Sequence, residues 1–192
     1  MEVLKSSSPA IDILGVCLSI LCWSSFLILD IVIGISRQIN SPLIWLYWVF
    51  NFVVFFGLQP LLTIVHEKAH AFAASHFSFK TNISYFHKNK NGYKTFKPCC
   101  MFEKSDEIGK SAFIVIALAP AIGLSLIFLP FVLFSKMFLS YYPELFCFGV
   151  PLYLLKLKGC FGDLNLVLGA SKKPKGTTFQ QLCIGDFKVI KK

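Results

Sequence analysis

The sequence lacks the cysteine spacing of a disulfide framework. Its seven cysteines include no CxxC pair. Four of them lie inside apolar blocks, where cysteine behaves as a small hydrophobic residue: Cys17, Cys22, Cys147 and Cys160. Cys99 and Cys100 are adjacent in a polar region and leave open a reactive or lipidated pair, although neighbouring loop cysteines more often have no chemical role. Internal repeats and low-complexity tracts are also absent.

A basic face suited to nucleic acid is lacking as well. The formal net charge is +9. The basic residues, however, lie between and after the apolar blocks and not along one amphipathic face. This distribution is typical of an orientation signal in a membrane protein, so we expect no nucleic-acid partner.

Apolar residues are what the sequence has in abundance. Hydrophobic residues make up 55% of the chain and the mean hydropathy is +0.66, more than a soluble domain needs for its core. They lie in blocks of ~20 residues or more, the length a helix needs to cross a hydrocarbon core of ~30 Å. The first block is too long for a signal peptide and lacks a small-residue cleavage site, so we expect it to remain as an anchor. The pattern excludes a soluble globular domain and predicts a chain embedded in the lipid bilayer.

The apolar blocks predict an all-α integral membrane protein with four transmembrane helices. We expect residues 1–192 to form a single membrane-embedded domain. Its predicted parts are spans at about 11–35, 42–77, 111–139 and 143–169, a loop at 78–110 and a tail at 170–192.

The loop charges predict the orientation of these spans. Seven lysines lie in the loop at 78–110 and six in the tail, whereas the other two loops offer little beyond Arg37 and Lys136. The positive-inside rule places the long loop and both termini in the cytoplasm, as an even number of spans requires. The expected location is a bacterial cytoplasmic membrane.

The loop between the second and third spans carries a hairpin signal. Asn91 and Gly92 are flanked by β-branched and aromatic residues, a strong indication of a β-hairpin. We therefore expect a small hairpin at the cytoplasmic face. The alternative is a disordered basic loop attracted to anionic lipid.

The segment HEKAH, near the end of the second span, has the form HExxH. His66 and His70 are four residues apart, so on a helix their side chains differ by about 40° and lie on one face. Two imidazoles so placed can bind one Zn²⁺, and Glu67 can act as general base toward a water on that metal. Ionisable residues at membrane depth indicate a functional site, although HExxH also occurs by chance.

A catalytic zinc requires a third protein ligand, and two residues are candidates. His76 has the spacing of soluble HExxHxxGxxH proteases, but position 73 is alanine and an unbroken helix would direct His76 about 120° away from His66. Asp163 is the better candidate because it lies about as far from the end of its span as HEKAH does. The alternative is an ion pair of Asp163 with Lys156 or Lys158.

These features together resemble the DUF3267 family of zincin-like membrane peptidases, which are similar in logic to site-2 proteases. The resemblance covers roughly residues 45–192 and rests on HEKAH, Ala119-Pro120 and Gly162-Asp163. It implies His66, His70 and Asp163 as ligands of Zn²⁺, with Glu67 as the catalytic acid and base.

The leading hypothesis is a zinc-dependent intramembrane peptidase that hydrolyses peptide bonds of a membrane protein or peptide substrate. One alternative is a small transporter or a metal- or proton-conducting protein, because intramembrane histidine, aspartate and lysine mark ion pathways. Another is a catalytically inactive membrane scaffold. The sequence indicates neither the substrate nor the oligomeric state.

Overall fold

The computed structural model describes residues 2–36, 43–88, 94–103 and 106–190. Six helices and six strands follow one another along these residues. In chain order they are β1 (Glu2–Lys5), α1 (Pro9–Ser36), α2 (Leu43–His76), β2 (Thr81–Lys88), β3 (Lys94–Phe102), β4 (Ile108–Gly109), α3 (Lys110–Leu133), α4 (Ser135–Tyr141), α5 (Pro143–Gly159), α6 (Phe161–Ser171), β5 (Thr178–Cys183) and β6 (Asp186–Ile190).

Three of the helices are long and apolar enough to cross a membrane. They are α1, α2 from Ile44 onward, and α3, with 28, 33 and 24 residues. At 1.5 Å per residue these helices measure roughly 36–50 Å, which exceeds the ~30 Å of a hydrocarbon core. Their apolar side chains are largely exposed at the surface of the protein, as expected of surfaces that face lipid.

The predicted fourth span, at about 143–169, is divided between two shorter helices. α5 has 17 residues and α6 has 11, and Cys160 separates them. Gly159 and Gly162 flank this break, and glycine lowers helix stability because it adds conformational entropy to the unfolded chain. The third predicted span is also shorter than expected, since α3 ends at Leu133 and α4 follows as a separate helix.

The predicted helical fold is confirmed in part: the described residues are mostly helical, but they form two small antiparallel sheets where only a hairpin was predicted. The larger has four strands in the order β1-β6-β5-β4. Glu2 pairs with Val189, Phe179 with Val189, and Ile108 with Phe179. These strands come from three distant parts of the chain, so their pairing leaves little local signal in the sequence.

The second sheet is the predicted hairpin between α2 and α3. β2 pairs with β3 in a register that runs from Thr81 opposite Phe102 to Lys88 opposite Lys94, with an irregularity between Ser84 and Phe86. The strand pairing confirms the hairpin. The predicted turn at Asn91 and Gly92 lies outside the described residues.

One compact unit of the fold comprises residues 1–12, 63–123 and 160–192. Its core brings together the end of α2, the start of α3, α6 and the four-stranded sheet. The Phe113 ring stacks on Phe179 with centroids 4.4 Å apart and meets the edge of Phe187 at 4.8 Å. Ala73, Ala74 and Ala170 are buried in the same core, where small side chains let helices lie close to the sheet. This core fixes α6 relative to the HEKAH turn of α2.

The N-terminal strand completes this unit by packing on α6. Asn165 donates a hydrogen bond from Nδ2 to the Lys5 carbonyl at 2.9 Å. A Cβ added to Gly169 would lie 2.9 Å from a Leu4 methyl carbon, and one added to Gly162 would lie 3.3 Å from the Ser6 Cβ. The two glycines therefore allow the close approach of the N-terminal segment to the helix that carries Asp163.

A second compact unit comprises residues 13–62 and 124–159 and has an aromatic core. The Phe26 and Phe55 rings stack with centroids 4.2 Å apart, and Phe128 and Leu152 complete the cluster. Within this unit Asn51 donates a hydrogen bond to the buried carboxylate of Asp30.

Candidate metal centre

The HEKAH turn of α2 places two histidines on one helical face. α2 continues without interruption to His76, so the four-residue spacing of His66 and His70 sets their side chains one turn apart. Their ring centroids lie 5.0 Å apart at an interplanar angle of 84°. Both side chains are largely shielded from solvent, with 12% and 13% of their surface exposed.

α6 brings a carboxylate to the same two rings. Asp163 Oδ2 lies 3.2 Å from His66 Nε2, and Asp163 Oδ1 lies 3.5 Å from His70 Nε2. One donor atom from each of the three residues can be chosen so that all lie within 4.8 Å of one another. The structure thus brings together three of the residues selected from the sequence. His76 is outside this group and is exposed at the end of α2.

The other ring nitrogen of each histidine has its own contact. His70 Nδ1 lies 2.8 Å from the Ile116 carbonyl oxygen, which accepts hydrogen bonds and cannot donate them. His70 therefore carries a proton on Nδ1, and in its neutral form it presents the Nε2 lone pair to Asp163. His66 Nδ1 lies 3.6 Å from the buried Cys160 Sγ. A backbone carbonyl on the second ring nitrogen, as at His70, orients metal-binding imidazoles in known sites.

The donor set fits a cation. With neutral histidines the Nε2 lone pair of His70 faces a carboxylate oxygen, so two acceptors oppose each other unless a positive charge lies between them. Asp163 Oδ2 is buried, and its near polar neighbour among the described residues is His66 Nε2 at 3.2 Å. Two ligands at ~2.0–2.1 Å from a tetrahedral centre lie about 3.3–3.4 Å apart. The separations from the two imidazoles to the Asp163 oxygens, 3.2 Å to Oδ2 and 3.5 Å to Oδ1, are close to that spacing.

Glu67 lies beside this group and is held by the hairpin. Its Oε2 accepts a hydrogen bond from the backbone N–H of Cys100 at 2.7 Å. Its Oε1 lies 3.9 Å from His66 Nε2, and 14% of the side chain is exposed. The sequence predicted the hairpin and the role of Glu67 as general base separately. The contact between them depends on folding, and no residue pattern indicates it.

Gln181 is a further residue near the site that sequence reasoning missed. This β5 side chain is 8% exposed. Its Oε1 accepts a hydrogen bond from the Phe102 N–H at 2.8 Å, and its Nε2 donates one to the Cys100 carbonyl at 3.3 Å. A glutamine in a short polar tail carries no signal of such a role.

The adjacent thiols of Cys99 and Cys100 are not in an environment that favours reactivity. Both side chains are buried. Burial, and then the negative charge of Glu67, raise the pKa of Cys99 to about 12. Burial raises the pKa of Cys100 to about 11. Since the thiolate is the reactive form, the structure gives no support to a reactive pair.

The two lysines considered as ion-pair partners of Asp163 lie in the last turn of α5. Lys158 Nζ donates a hydrogen bond to Ser19 Oγ at 2.8 Å. Its side-chain carbons lie against Gly15 of α1. The carboxylate of Asp163 instead faces the two imidazoles described above.

Comparison with known proteins identifies the family of this chain. Residues 60–178 match the family model DUF3267, whose description is "Putative zincin peptidase". The matched range includes HEKAH, the hairpin, α3 and Asp163. No curated protein and no solved structure matches the chain. Zincins are metal-dependent, as a group of two histidines and one carboxylate would require. Because the family model covers more than half of the chain, this protein belongs to the DUF3267 family.

Proposed function

We propose that this protein is a zinc-dependent intramembrane peptidase. His66, His70 and Asp163 converge from two helices that are distant in sequence, and the carboxylate of Glu67 lies beside them. This convergence is the observation that carries the proposal. Two imidazoles and one carboxylate are a donor set found in catalytic zinc sites, which keep a further position open.

His66 and His70 would hold the metal through Nε2, and Asp163 would hold it through its carboxylate. When bound, zinc supplies a nucleophile at neutral pH and polarises the peptide carbonyl under attack. The Ile116 carbonyl fixes the His70 tautomer, because it accepts a hydrogen bond from Nδ1–H and leaves Nε2 free to bind.

Glu67 would act as the general base and then as the acid. Its two oxygens have different environments, since Oε2 accepts the Cys100 N–H and Oε1 lies toward His66. Oε1 is therefore the atom that would take a proton from the attacking water and deliver it to the leaving amine. The hydrogen bond at Oε2 limits the rotation of the carboxylate, so Oε1 is already oriented for this transfer.

The substrate would be a membrane protein or a membrane-associated peptide. The HEKAH turn belongs to α2, one of the helices suited to crossing a membrane. A helical substrate must unwind locally before cleavage, because its carbonyls are otherwise hydrogen-bonded four residues along the chain. The shielding of the site, with 12–16% of its side-chain surfaces exposed, limits access of water.

We further propose that α5 and α6 together make a fourth crossing of the bilayer. Both termini and the hairpin would then lie in the cytoplasm, in agreement with the lysines of the hairpin region and the tail. A bacterial cytoplasmic membrane is the proposed location.

The test is cleavage of a co-expressed, epitope-tagged single-span membrane protein. The wild type is compared with Glu67→Gln, which keeps an acceptor for the Cys100 N–H but cannot take a proton. The matched control is Glu103→Gln, at an exposed position. We expect cleavage by the wild type and the control, and a fall of about 10²–10⁴ in rate for Glu67→Gln. Equal cleavage by all three proteins would overturn the proposal.

A further inference from the structure

One residue of the hairpin is held by two side chains from different parts of the chain. The N–H of Cys100 donates to Glu67 of α2, and the carbonyl of Cys100 accepts from Gln181 of β5. In a strand, the N–H and C=O of one residue point toward the same side, so both contacts use one edge of β3. The N–H and the carbonyl belong to the two peptide groups joined at the Cys100 Cα, so the backbone conformation at Cys100 affects both partners.

Gln181 binds β3 much as a neighbouring strand would. Its amide group accepts from the Phe102 N–H at 2.8 Å and donates to the Cys100 carbonyl at 3.3 Å. The Phe102 N–H and the Cys100 carbonyl lie on either side of Met101. A neighbouring parallel strand would pair with the same two groups at that position. One side-chain amide thus replaces two backbone hydrogen bonds.

The position of Gln181 in β5 suits this role. The pairing of β5 with β6 shifts register between Gln181 and Cys183, and such irregularities re-aim a side chain. β4 pairs with β5 at Phe179 and Thr178. In the part of the chain that the structure describes, β3 belongs to a different sheet from β5 and shares no backbone ladder with it. The Gln181 amide accordingly connects the two sheets by side-chain hydrogen bonds.

We propose that Gln181 is a positioning residue for Glu67, acting through the backbone of Cys100. This inference rests on the proposed function, since it assigns Gln181 to the alignment of the general base. Without the Gln181 amide, the Cys100 carbonyl and the Phe102 N–H lose their partners in a buried place, and the strand must shift to satisfy them. The Cys100 N–H would then move away from Glu67, and Oε1 would lose its fixed orientation.

Three variants separate this role from a general structural one. Gln181→Leu removes both hydrogen bonds to β3. Gln181→Glu keeps an acceptor for the Phe102 N–H but, when ionised, has no donor for the Cys100 carbonyl. Gln180→Ala is the matched control, because adjacent residues of a strand point to opposite faces.

The first measurement is hydrogen exchange of the purified protein in detergent, resolved to single amides. We expect the Cys100 and Phe102 amides to be protected in the wild type and in Gln180→Ala. In Gln181→Leu both should exchange roughly fivefold to tenfold faster, and in Gln181→Glu the larger change should fall on Cys100. Unchanged protection of Cys100 in Gln181→Leu would overturn the inference, since Gln181 would then hold Phe102 alone.

The second measurement is cleavage of the same tagged single-span protein, together with the zinc content of each variant. We expect Gln181→Leu to lose ~10–100-fold in cleavage rate while it retains zinc, because a displaced base slows proton transfer but removes no ligand. Full cleavage by Gln181→Leu, with Glu67→Gln inactive, would refute the positioning role. Should Glu67→Gln cleave normally, the proposed function fails, and the exchange of the Cys100 amide still decides whether Gln181 orders the Cys100 backbone.

Discussion

The replacement of Asp163 by asparagine tests the proposed metal centre most directly. The two side chains have nearly the same shape, but the amide is neutral and is a weaker ligand for zinc than a carboxylate. Asp163 is the one residue of the group that comes from α6, and its oxygens lie 3.2 and 3.5 Å from the two Nε2 atoms. We expect Asp163→Asn to retain its fold and to bind zinc much more weakly than the wild type.

The magnitude follows from the position of the carboxylate. Loss of a group that only supports a ligand costs ~10–100-fold in metal affinity, so loss of a ligand should cost at least about 100-fold. A factor of 100 corresponds to about 2.8 kcal/mol. Water can replace the carboxylate only in part, because 16% of the Asp163 side chain is exposed.

The assay is competition for zinc between the purified protein and a chromophoric chelator of known affinity. Asp12→Asn, at an exposed position in the first turn of α1, controls for the loss of one negative charge. His76→Ala tests the other ligand considered from the sequence. Wild-type zinc affinity in Asp163→Asn, together with a loss in His76→Ala, would refute the assignment of Asp163. Circular dichroism would show that each variant remains folded.

Three further predictions concern the core, the reactivity of the thiols and the dependence of stability on pH. Phe179→Ala should destabilise the unit that holds α6 by about 3–5 kcal/mol, because this ring is fully buried and stacks on Phe113. Thermal unfolding in detergent should show a lower midpoint. An unchanged midpoint would contradict the packing argument. Cys99 and Cys100 should react slowly with N-ethylmaleimide at pH 8 and quickly after denaturation, because their pKa values of about 12 and 11 leave little thiolate in the folded protein. Mass spectrometry of the labelled peptides measures both rates, and rapid labelling of the folded protein would contradict the burial of these thiols. The raised pKa of Cys99 also predicts that stability depends on pH. The free energy of unfolding should fall as the pH rises from 9.0, the ordinary pKa of a cysteine, toward about 12, since the unfolded state loses this proton first.

Much of the candidate site could be inferred from local patterns. A spacing of four residues places His66 and His70 on one face of any α-helix, so their proximity needs no knowledge of the tertiary fold. The hairpin was predictable for the same reason, because its strands are adjacent in sequence and its turn residues are characteristic. Asp163 was selected because an acid in an apolar block requires a partner, and the structure places it against the two imidazoles.

The fourth apolar block shows where composition misleads. Residues 143–169 are apolar enough on average to suggest one continuous helix, but glycines flank a break at Cys160. Average hydropathy does not detect such a break, because a helix break depends on the backbone of a few residues. The four-stranded sheet escaped prediction for another reason, because β1, β4 and the β5–β6 pair meet only after the chain between them has folded.

By itself, the sequence determined the apolar helices, the HEKAH face and the strands of the hairpin, because these depend on hydropathy and on the short-range periodicity of the backbone. Only the tertiary structure decided that Asp163 meets the histidines and that the Cys100 N–H anchors Glu67. It also decided that the Gln181 amide, from β5, donates to the Cys100 carbonyl. Those contacts join residues 33 to 97 positions apart. Their formation depends on how α6, the hairpin and the sheet pack around the core that contains Phe113. No local sequence pattern indicates that packing.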